Sequence, residues 1–339
     1  MDCSINRRVL IDAHFDLLMD VTVQRAKGRT KVIEQDYLED FKKGGFSIIT
    51  SSIFIDNIFL PEMALRKALE QISALYAEIE ESSDKIVLCK SYDDVICSIE
   101  NEKLGIILSF EGAEPLYNDI NLLRIFYQLG VRGLGLTWSR RNLAADGSSY
   151  ISIPGGKKGG LTDFGYELVK EAEKLGMFID VSHLNDEGFE DVLKVSKKPF
   201  IASHSNCRTL SSIKRNLTDD QIKSIANSGG IIGMNASSML VADDDENSNL
   251  EYLADHIEYI IKLAGIDYVC FGFDFCDRFM KYVSAEDIKS MPRVPFDVIK
   301  GHSDAGRILN ILSDRGYSIE ELEKIGYKNY LRVLKSTLV

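Results

Sequence analysis

The chain has 339 residues, of which 45% are hydrophobic and 27% charged, and these proportions are typical of a soluble globular protein. The formal net charge of −12 argues against a nucleic-acid partner, because binding the phosphate backbone requires a cationic face. Its six cysteines are scattered without a CxxC pair, which argues against a disulfide framework.

The sequence shows no targeting or membrane segment. Residues 1–8 contain no apolar signal core, and no stretch reaches the ~18 apolar residues of a membrane-spanning helix. We therefore expect a cytoplasmic protein without a membrane anchor.

Short apolar runs recur along the chain and predict eight strands. They occupy residues 9–13, 46–53, 104–110, 131–137, 178–181, 199–202, 230–235 and 268–273. Runs of this kind are typical of strands buried on both faces. The segments between them have helical spacing, and capping boxes begin at Thr218 and Ser318. Predicted helices include 61–82, 168–175, 186–195, 218–228 and 256–263.

Strands that alternate with helices predict an α/β fold with a parallel sheet, and eight of them favour a (β/α)8 TIM-type barrel. The alternation never breaks, so we expect a single domain over residues 1–339 with extra C-terminal helices. A doubly wound open sheet is the alternative, but the sequence lacks a GxGxxG phosphate loop that would support it.

Residues 178–208 form the most informative stretch, because two apolar runs each end in Ser-His. Similar polar residues follow other predicted strands. The full set is His14, Asp16, Glu111, His183, His204 and Asp274. The carboxyl ends of barrel strands converge, so these side chains are expected to share one small volume. His256, within a helix, and His302, in a late loop, are left out of this set.

Carboxylates at that density repel one another unless cations bind between them. Histidine nitrogen with carboxylate oxygen is the ligand mixture of open zinc sites. The six ligands exceed what one tetrahedral ion needs and suit two ions ~3.5–4 Å apart that share a carboxylate. Mn²⁺ or Co²⁺ would also suit nitrogen and oxygen ligands.

Each of these residues has an ordinary structural explanation when it is taken alone. A single Ser-His at a strand end is more often a structural histidine, Glu111 could be a helix N-terminal acid, and Asp274 could cap a helix. Their occurrence after five of the eight predicted strands is what favours a metal site.

At these residues the sequence resembles the membrane (renal-type) dipeptidase family of dinuclear zinc peptidases, within the amidohydrolase-like barrels. The resemblance covers nearly the whole chain. The matching stretches are residues 11–16, 109–114, 133–142, 160–208, 215–220, 272–275 and 329–333. The most specific of them are GLTDFGYELVKEAEKLGMFIDVSH and IASHSNCR.

The resemblance implies a role for each site residue. His14 and Asp16 would bind the first zinc ion, and His183 and His204 the second. Glu111 would bridge the two ions and the hydroxide that they share would attack the peptide bond. Asp274 would accept and return the proton, and Arg215 would bind the terminal carboxylate of the dipeptide.

The sequence departs from the family pattern after the fourth strand. Many members have a histidine there that contacts the oxygen of the tetrahedral intermediate, and this chain has Trp138. Tryptophan offers one indole N–H, a large apolar face and no charge, so Trp138 is expected to contact substrate. Arg140, Arg141 and Asn142 are the candidates to replace the missing donor.

The resemblance implies a zinc-dependent dipeptidase, commonly a homodimer, that accepts a D-residue at the C-terminal position. The loops 139–159 and 276–301 would form lids, and Gly155, Gly156, Gly159 and Gly160 would give the first of them its mobility. Two alternatives remain at this point. One is a dinuclear amidohydrolase for N-acyl amino acids, lactams or lactones, which Trp138 would favour; the other is a non-catalytic metal-binding protein.

Overall fold

The strands of the protein are short, parallel and buried. The computed structural model describes residues 9–149, 159–283, 288, 291 and 293–338. Its strands are β1 (Leu10–Phe15), β2 (Phe46–Phe54), β3 (Ile86–Leu88), β4 (Leu104–Glu111), β5 (Val131–Gly135), β6 (Phe178–Asp180), β7 (Ile232–Met234) and β8 (Val269–Phe271). Every residue of β1 and β4 is buried, which explains why the sequence shows continuous apolar runs there.

The strands close into a barrel. One sheet has the order β1-β2-β4-β5-β6, and β7 pairs with β8. Single bridges from Ile201 to Asp180 and from Ala202 to Ile232 join the two sheets. After β8, the Asp274 N–H donates to the carbonyl of His14 in β1 over 3.2 Å, so the last strand lies beside the first. The predicted barrel is confirmed, and the open doubly wound sheet is wrong.

Helices follow the strands and cover the barrel. They are α1 (Leu17–Ala26), α2 (Val32–Asp36), α3 (Leu38–Gly44), α4 (Ala64–Glu81), α5 (Tyr92–Glu100), α6 (Ile120–Gln128), α7 (Asp163–Leu175), α8 (Asp186–Val195), α9 (Asp219–Asn227), α10 (Ser238–Val241), α11 (Leu250–Ala264), α12 (Gly306–Asp314), α13 (Ile319–Glu323) and α14 (Asn329–Thr337). The predicted capping boxes at Thr218 and Ser318 start α9 and α13. Among these described helices, none is both long enough and apolar enough to cross a bilayer.

One predicted strand is wrong, and one observed strand was not predicted. The run 199–202 contributes single bridges rather than a strand, and the Asp180 side chain, instead of a backbone carbonyl, accepts the Ser203 N–H over 2.9 Å. The additional strand β3 was not predicted. It pairs with only the first residues of β4, and its three residues form too short a run to be recognised in the sequence.

The C-terminal helix closes the end of the barrel opposite the strand ends that carry the site. Tyr330 and Val333 of α14 pack into a buried cluster with residues that begin or precede strands, such as Val9, Phe178 and Ile231. The Tyr330 hydroxyl reaches Thr50 of β2 over 3.0 Å. This apolar plug leaves only the carboxyl ends of the strands open for polar chemistry.

Two glycines leave space for the strand segment that carries His204. A Cβ on Gly272 would lie 1.7 Å from the Ser203 carbonyl oxygen, and one on Gly233 would lie 1.8 Å from it. Real Cβ atoms do not approach a backbone oxygen so closely, so both positions require glycine for steric reasons.

We therefore expect Gly272→Ala to lower the free energy of unfolding by about 1–3 kcal/mol, because it forces the Ser203 backbone outward. Chemical denaturation measures this change. Gly159→Ala is the control, since its nearest contact would be 3.7 Å away, at Asp146. Equal stability of the two variants would contradict this assignment.

Candidate metal centre

Six potential metal ligands meet at the carboxyl ends of the barrel strands. Imidazole nitrogens and carboxylate oxygens approach within 3.0 to 4.0 Å in this cluster. Its members are His14, Asp16, Glu111, His183, His204 and Asp274. The structure thus brings together every candidate ligand that the sequence suggested.

Glu111 lies at the centre of the cluster, and its two oxygens face different partners. Oε2 is 3.4 Å from Nε2 of His14. Oε1 is 3.0 Å from Nε2 of His183 and 3.8 Å from Nε2 of His204. Nε2 of His14 is in turn 4.0 Å from Asp16 and 3.9 Å from Asp274. The carboxylate therefore separates two groups of ligands, one on each oxygen.

Four potential ligand atoms of this cluster lack hydrogen-bond partners among the described residues. Nε2 of His14, His183 and His204 and Oε2 of Glu111 are buried, and among the described residues none of them is hydrogen-bonded. Leaving a buried polar group unpaired costs about 1–3 kcal/mol. Several such atoms pointing at one another fit a site for divalent cations.

Serine hydroxyls fix the histidine rings through their other nitrogens. Nδ1 of His183 is 2.8 Å from the Ser139 hydroxyl, and Nδ1 of His204 is 2.7 Å from the Ser203 hydroxyl. The Ser203 hydroxyl donates to Asp180 and therefore accepts from His204. This arrangement places the ring proton on Nδ1 and leaves the Nε2 lone pair of His204 free for a metal ion.

Two aspartates inside the barrel tie neighbouring strand ends together. Asp12 Oδ1 accepts the N–H groups of His14 and Phe273 at 3.2 and 3.0 Å. Asp180 Oδ1 accepts those of Ser182 and Ser203 at 3.0 and 2.9 Å. Sequence reasoning missed these supports. The signal was present as an aspartate two or three residues before a histidine, in IDAH and IDVSH.

The two histidines left out of the site have other partners. Nε2 of His302 lies 2.7 Å from Asp12, on the side of that carboxylate away from the His14 N–H. Nδ1 of His256 accepts the Cys207 N–H over 3.0 Å, and its Nε2 donates to a backbone carbonyl. Neither ring belongs to the cluster around Glu111.

Two cluster residues have left-handed backbone conformations. φ is +67° at His183 and +52° at Asp274. Such conformations cost about 1–3 kcal/mol in a residue with a side chain and are found preferentially at functional sites. Asp274 also accepts a hydrogen bond from Asn235 Nδ2 over 2.9 Å, which fixes the orientation of its carboxylate.

The electrostatics of the cluster favour a cation beside His14. Burial disfavours the charged imidazolium, but the carboxylates of Glu111, Asp274 and Asp16 outweigh burial and raise the pKa of His14 to about 10. Burial opposes ionisation of Glu111 as well, yet His14 and His183 hold the pKa of Glu111 well below its usual range. The negative potential at this point attracts positive charge of any kind.

The other two histidines of the cluster are held in the neutral form. Burial, with the nearby charge of Arg215, lowers the pKa of His183 to about 3 and that of His204 well below its ordinary value. A neutral imidazole is the form that binds metal ions. Burial and the charge of Glu111 raise the pKa of Asp274 to about 6, which places that carboxyl near the range useful for proton transfer.

A cavity of about 330 Å³ opens above the cluster. Asp16, Glu111, His183 and Asp274 form its base. The described parts of both predicted lid loops contribute to its walls, whereas Gly155 and Gly156 lie outside the described residues. Loop mobility stays a prediction.

Trp138 lines this cavity beside the cluster. Its ring centroid is 5.8 Å from that of His183 and 5.4 Å from that of Phe54. The Arg140 guanidinium lies 5.2 Å from the Trp138 ring and donates from Nε to Glu114 over 2.7 Å. Trp138 follows β5, which is the fourth strand along the path β1-β2-β4-β5. At this position the cavity therefore has an aromatic side chain next to a histidine.

Of the three candidates to replace a donor at this position, only Arg140 is among the described residues that line the cavity. Arg141 is exposed and pairs with Asp146. Asn142 donates to the Leu136 carbonyl over 2.8 Å and holds the loop together.

Arg215 is buried next to the cluster but is not among the residues that line the cavity. Its terminal nitrogens donate to the Ser205 hydroxyl over 2.6 Å and to the His204 carbonyl over 2.9 Å. Nε is buried and has no hydrogen-bond partner among the described residues. The predicted contact with a substrate carboxylate stays a prediction.

A parallel α/β barrel with histidines and carboxylates gathered at the carboxyl ends of its strands defines a class, the metal-dependent hydrolase barrels. A probable 2-pyrone-4,6-dicarboxylic acid hydrolase from Acinetobacter baumannii and an amidohydrolase from Burkholderia multivorans share this fold, at 11% and 8% identity with TM-scores of 0.52 and 0.51. The fold of the protein is therefore the fold of this class.

The particular family follows from the sequence. The model of the family described as "Membrane dipeptidase (Peptidase family M19)" matches residues 4–338. The chain therefore belongs to the membrane dipeptidase family, peptidase family M19, and is a metallopeptidase that hydrolyses peptide bonds.

Relatives of known sequence and structure agree with this membership. A protein of the pqqA 5′ region of Klebsiella pneumoniae is 33% identical over 79% of this chain and 94% of its own length. Dipeptidase tcpJ of Claviceps purpurea is 28% identical over 96% of this chain and 74% of its own.

Two solved structures cover almost the whole chain. A metallopeptidase from Rhodobacter sphaeroides, liganded with a phosphinate mimic of L-Ala-D-Ala, has a TM-score of 0.85 at 24% identity and covers 98% of this chain and 100% of its own. The dipeptidase AC has the same TM-score at 25% identity and covers 98% of this chain and 99% of its own.

The serine contact to His204 leads to a prediction. Ser203→Ala removes the acceptor of the His204 Nδ1–H and the link to Asp180, so we expect the affinity for a divalent metal ion to fall about 10- to 100-fold. Competition with a chromogenic chelator measures it. Ser224→Ala, on α9, is the control, and an unchanged affinity in Ser203→Ala would refute a role for this contact.

Proposed function

We propose that the protein is a zinc-dependent dipeptidase with two ions held on either side of Glu111. The observation that carries this proposal is that the two oxygens of Glu111 face different histidines. Oε2 faces His14, and Oε1 faces His183 and His204. His14 and Asp16 would hold one ion, and His183 and His204 the other.

The donor set supports zinc. Three imidazole nitrogens and carboxylate oxygens suit Zn²⁺ in open sites, and Mn²⁺ or Co²⁺ would accept the same ligands. Such ions, when bound, would lower the pKa of a water molecule toward ~7 and polarise the scissile carbonyl. Their charge of about +4 would be balanced by the carboxylates of Asp16, Glu111 and Asp274 together with one hydroxide, at about −4 in total.

We assign the proton transfers to Asp274. The Asn235 amide holds Oδ2 of Asp274 over 2.9 Å, while Oδ1 lies 3.9 Å from Nε2 of His14 and so faces the cluster. In this position Oδ1 would accept a proton during attack and return it to the leaving amine. Burial favours the protonated carboxyl that the second step needs.

The two ends of the substrate would meet different parts of the site. Arg215, whose Nε has no hydrogen-bond partner in the described part of the chain, would attract the terminal carboxylate. Trp138 would pack against the substrate backbone or side chain beside His183. The Rhodobacter sphaeroides metallopeptidase was liganded with a mimic of L-Ala-D-Ala. That ligand supports our expectation that this chain accepts a D-residue at the C-terminal position.

A second candidate keeps the metal centre and changes the bond. It is hydrolysis of N-acyl amino acids, lactams or lactones. The apolar face of Trp138 at the cavity wall, in place of a charged or strongly polar side chain, favours it. Homodimer formation and a cytoplasmic location also stay predictions.

Zinc-loaded protein is expected to hydrolyse L-Ala-L-Ala and L-Ala-D-Ala, and N-acetylated dipeptides more slowly. Release of free amino acids measures the rates. A chelator should abolish activity, and added zinc should restore it. Absence of hydrolysis across both L,L and L,D panels would contradict the proposed function, and preference for N-acetylated substrates would favour the second candidate.

Asp274→Asn is expected to lower kcat by about 10²- to 10⁴-fold, because the amide cannot take up the proton. Zinc content should remain close to that of the unaltered protein. Asp277→Asn is the matched control, since Asp277 accepts a backbone N–H from Asp297 and an amide oxygen can do the same. A kcat reduced less than tenfold in Asp274→Asn would remove Asp274 from the proton-transfer role.

A further inference from the structure

A second cavity adjoins the cavity above the metal cluster. It has a volume of about 260 Å³, and we call it the side chamber. Its walls include Val23, Phe59 and Gln71. Met19, Phe54 and Asp56 line both cavities and therefore lie where the two meet.

The side chamber is mainly apolar, and its dividing wall is held in place. Phe54 packs against Trp138 on the cluster side, with ring centroids 5.4 Å apart. Gln71 donates from Nε2 to the Phe54 carbonyl over 2.7 Å. Met19, a flexible and polarisable side chain, completes the boundary. Such a chamber suits a large apolar side chain better than a polar one.

The position of the chamber assigns it to one end of a dipeptide. Its residues come mainly from α1, from the end of β2 with the segment that follows it, and from α4, and α1 begins directly after Asp16. Arg215 lies against His204 and Ser205, beside the other group of ligands. A dipeptide with its carboxylate toward Arg215 would extend its N-terminal residue toward the side chamber.

Asp56 supplies a charge at the junction. Its Oδ1 accepts the Ile58 N–H over 3.0 Å, and its Oδ2 has no hydrogen-bond partner among the described residues. A half-buried carboxylate at the mouth of an apolar chamber would attract an ammonium group. The N-terminal residue of a dipeptide carries an ammonium group and a side chain on the same carbon.

On the basis of the dipeptidase activity proposed above, we propose that the side chamber binds the N-terminal side chain of the substrate and that Asp56 binds its α-ammonium group. The substrates are then dipeptides with a free amine and a large apolar N-terminal residue, such as leucine or phenylalanine. Met19 and Phe54 are the residues that would determine this specificity.

Filling the chamber tests the side-chain assignment. The unaltered protein is expected to prefer Leu-Ala over Ala-Ala in kcat/KM by about 10- to 100-fold, because the larger side chain is buried. Val23→Phe should reduce that ratio at least tenfold and leave the ratio of Ala-Leu to Ala-Ala unchanged. Val195→Phe, at the end of α8, is the size-matched control and should alter neither ratio.

Removing the charge of Asp56 tests the ammonium contact. Asp56→Asn keeps an oxygen for the Ile58 N–H and is expected to raise KM for free-amine dipeptides about tenfold with little change in kcat. Asp119→Asn is the control, because Asp119 accepts the Asn121 N–H over 3.0 Å in the same way. An unchanged KM in Asp56→Asn would overturn the assignment of Asp56.

Calorimetric titration with Leu-Ala and Ala-Ala separates this proposal from the proposed function. Val23→Phe could hydrolyse dipeptides and keep the preference for Leu-Ala, or it could show a changed preference at the C-terminal residue. Either result would overturn the chamber assignment and leave the dipeptidase activity intact. Tighter binding of Leu-Ala that Val23→Phe abolishes would support the chamber even without hydrolysis. No difference in binding and no hydrolysis would overturn both.

Discussion

The rest of the structure depends on the burial of three carboxylates beside three histidines at one end of a barrel. Like charges so close together destabilise a fold unless cations are held between them. Parallel strands make the arrangement possible, because side chains far apart in sequence meet at the carboxyl ends. Glu111 is the centre of this arrangement, since each of its oxygens faces a different set of histidines.

Polar side chains inside the barrel hold the candidate metal ligands in place. Asp12 and Asp180 each accept two backbone N–H groups from neighbouring strand ends. Ser203 connects Asp180 to the His204 ring, so the strand support and the ring orientation form one network. The left-handed backbone at His183 persists because the surrounding contacts determine it. The positions of the candidate ligands therefore depend on the strands that carry them.

The sequence predicted the barrel and the position of the candidate ligands at the strand ends, because both follow from local patterns. Buried strands appear as apolar runs, and residues such as His14 and Asp274 follow those runs directly. The contacts of Ser203 with His204 could not be predicted, because they depend on ring orientation. The side chamber, which lies mainly between α1, α4 and the end of β2, has no sequence pattern either, since it is a space between packed elements. The strand β3 was too short to recognise.

The most direct test of the central claim is a crystal structure of the zinc-loaded protein with anomalous diffraction data at the zinc edge. Two anomalous peaks are expected. One lies near Oε2 of Glu111 with His14 and Asp16 as ligands, and the other lies near Oε1 with His183 and His204. A single ion, or ions bound away from Glu111, would contradict it.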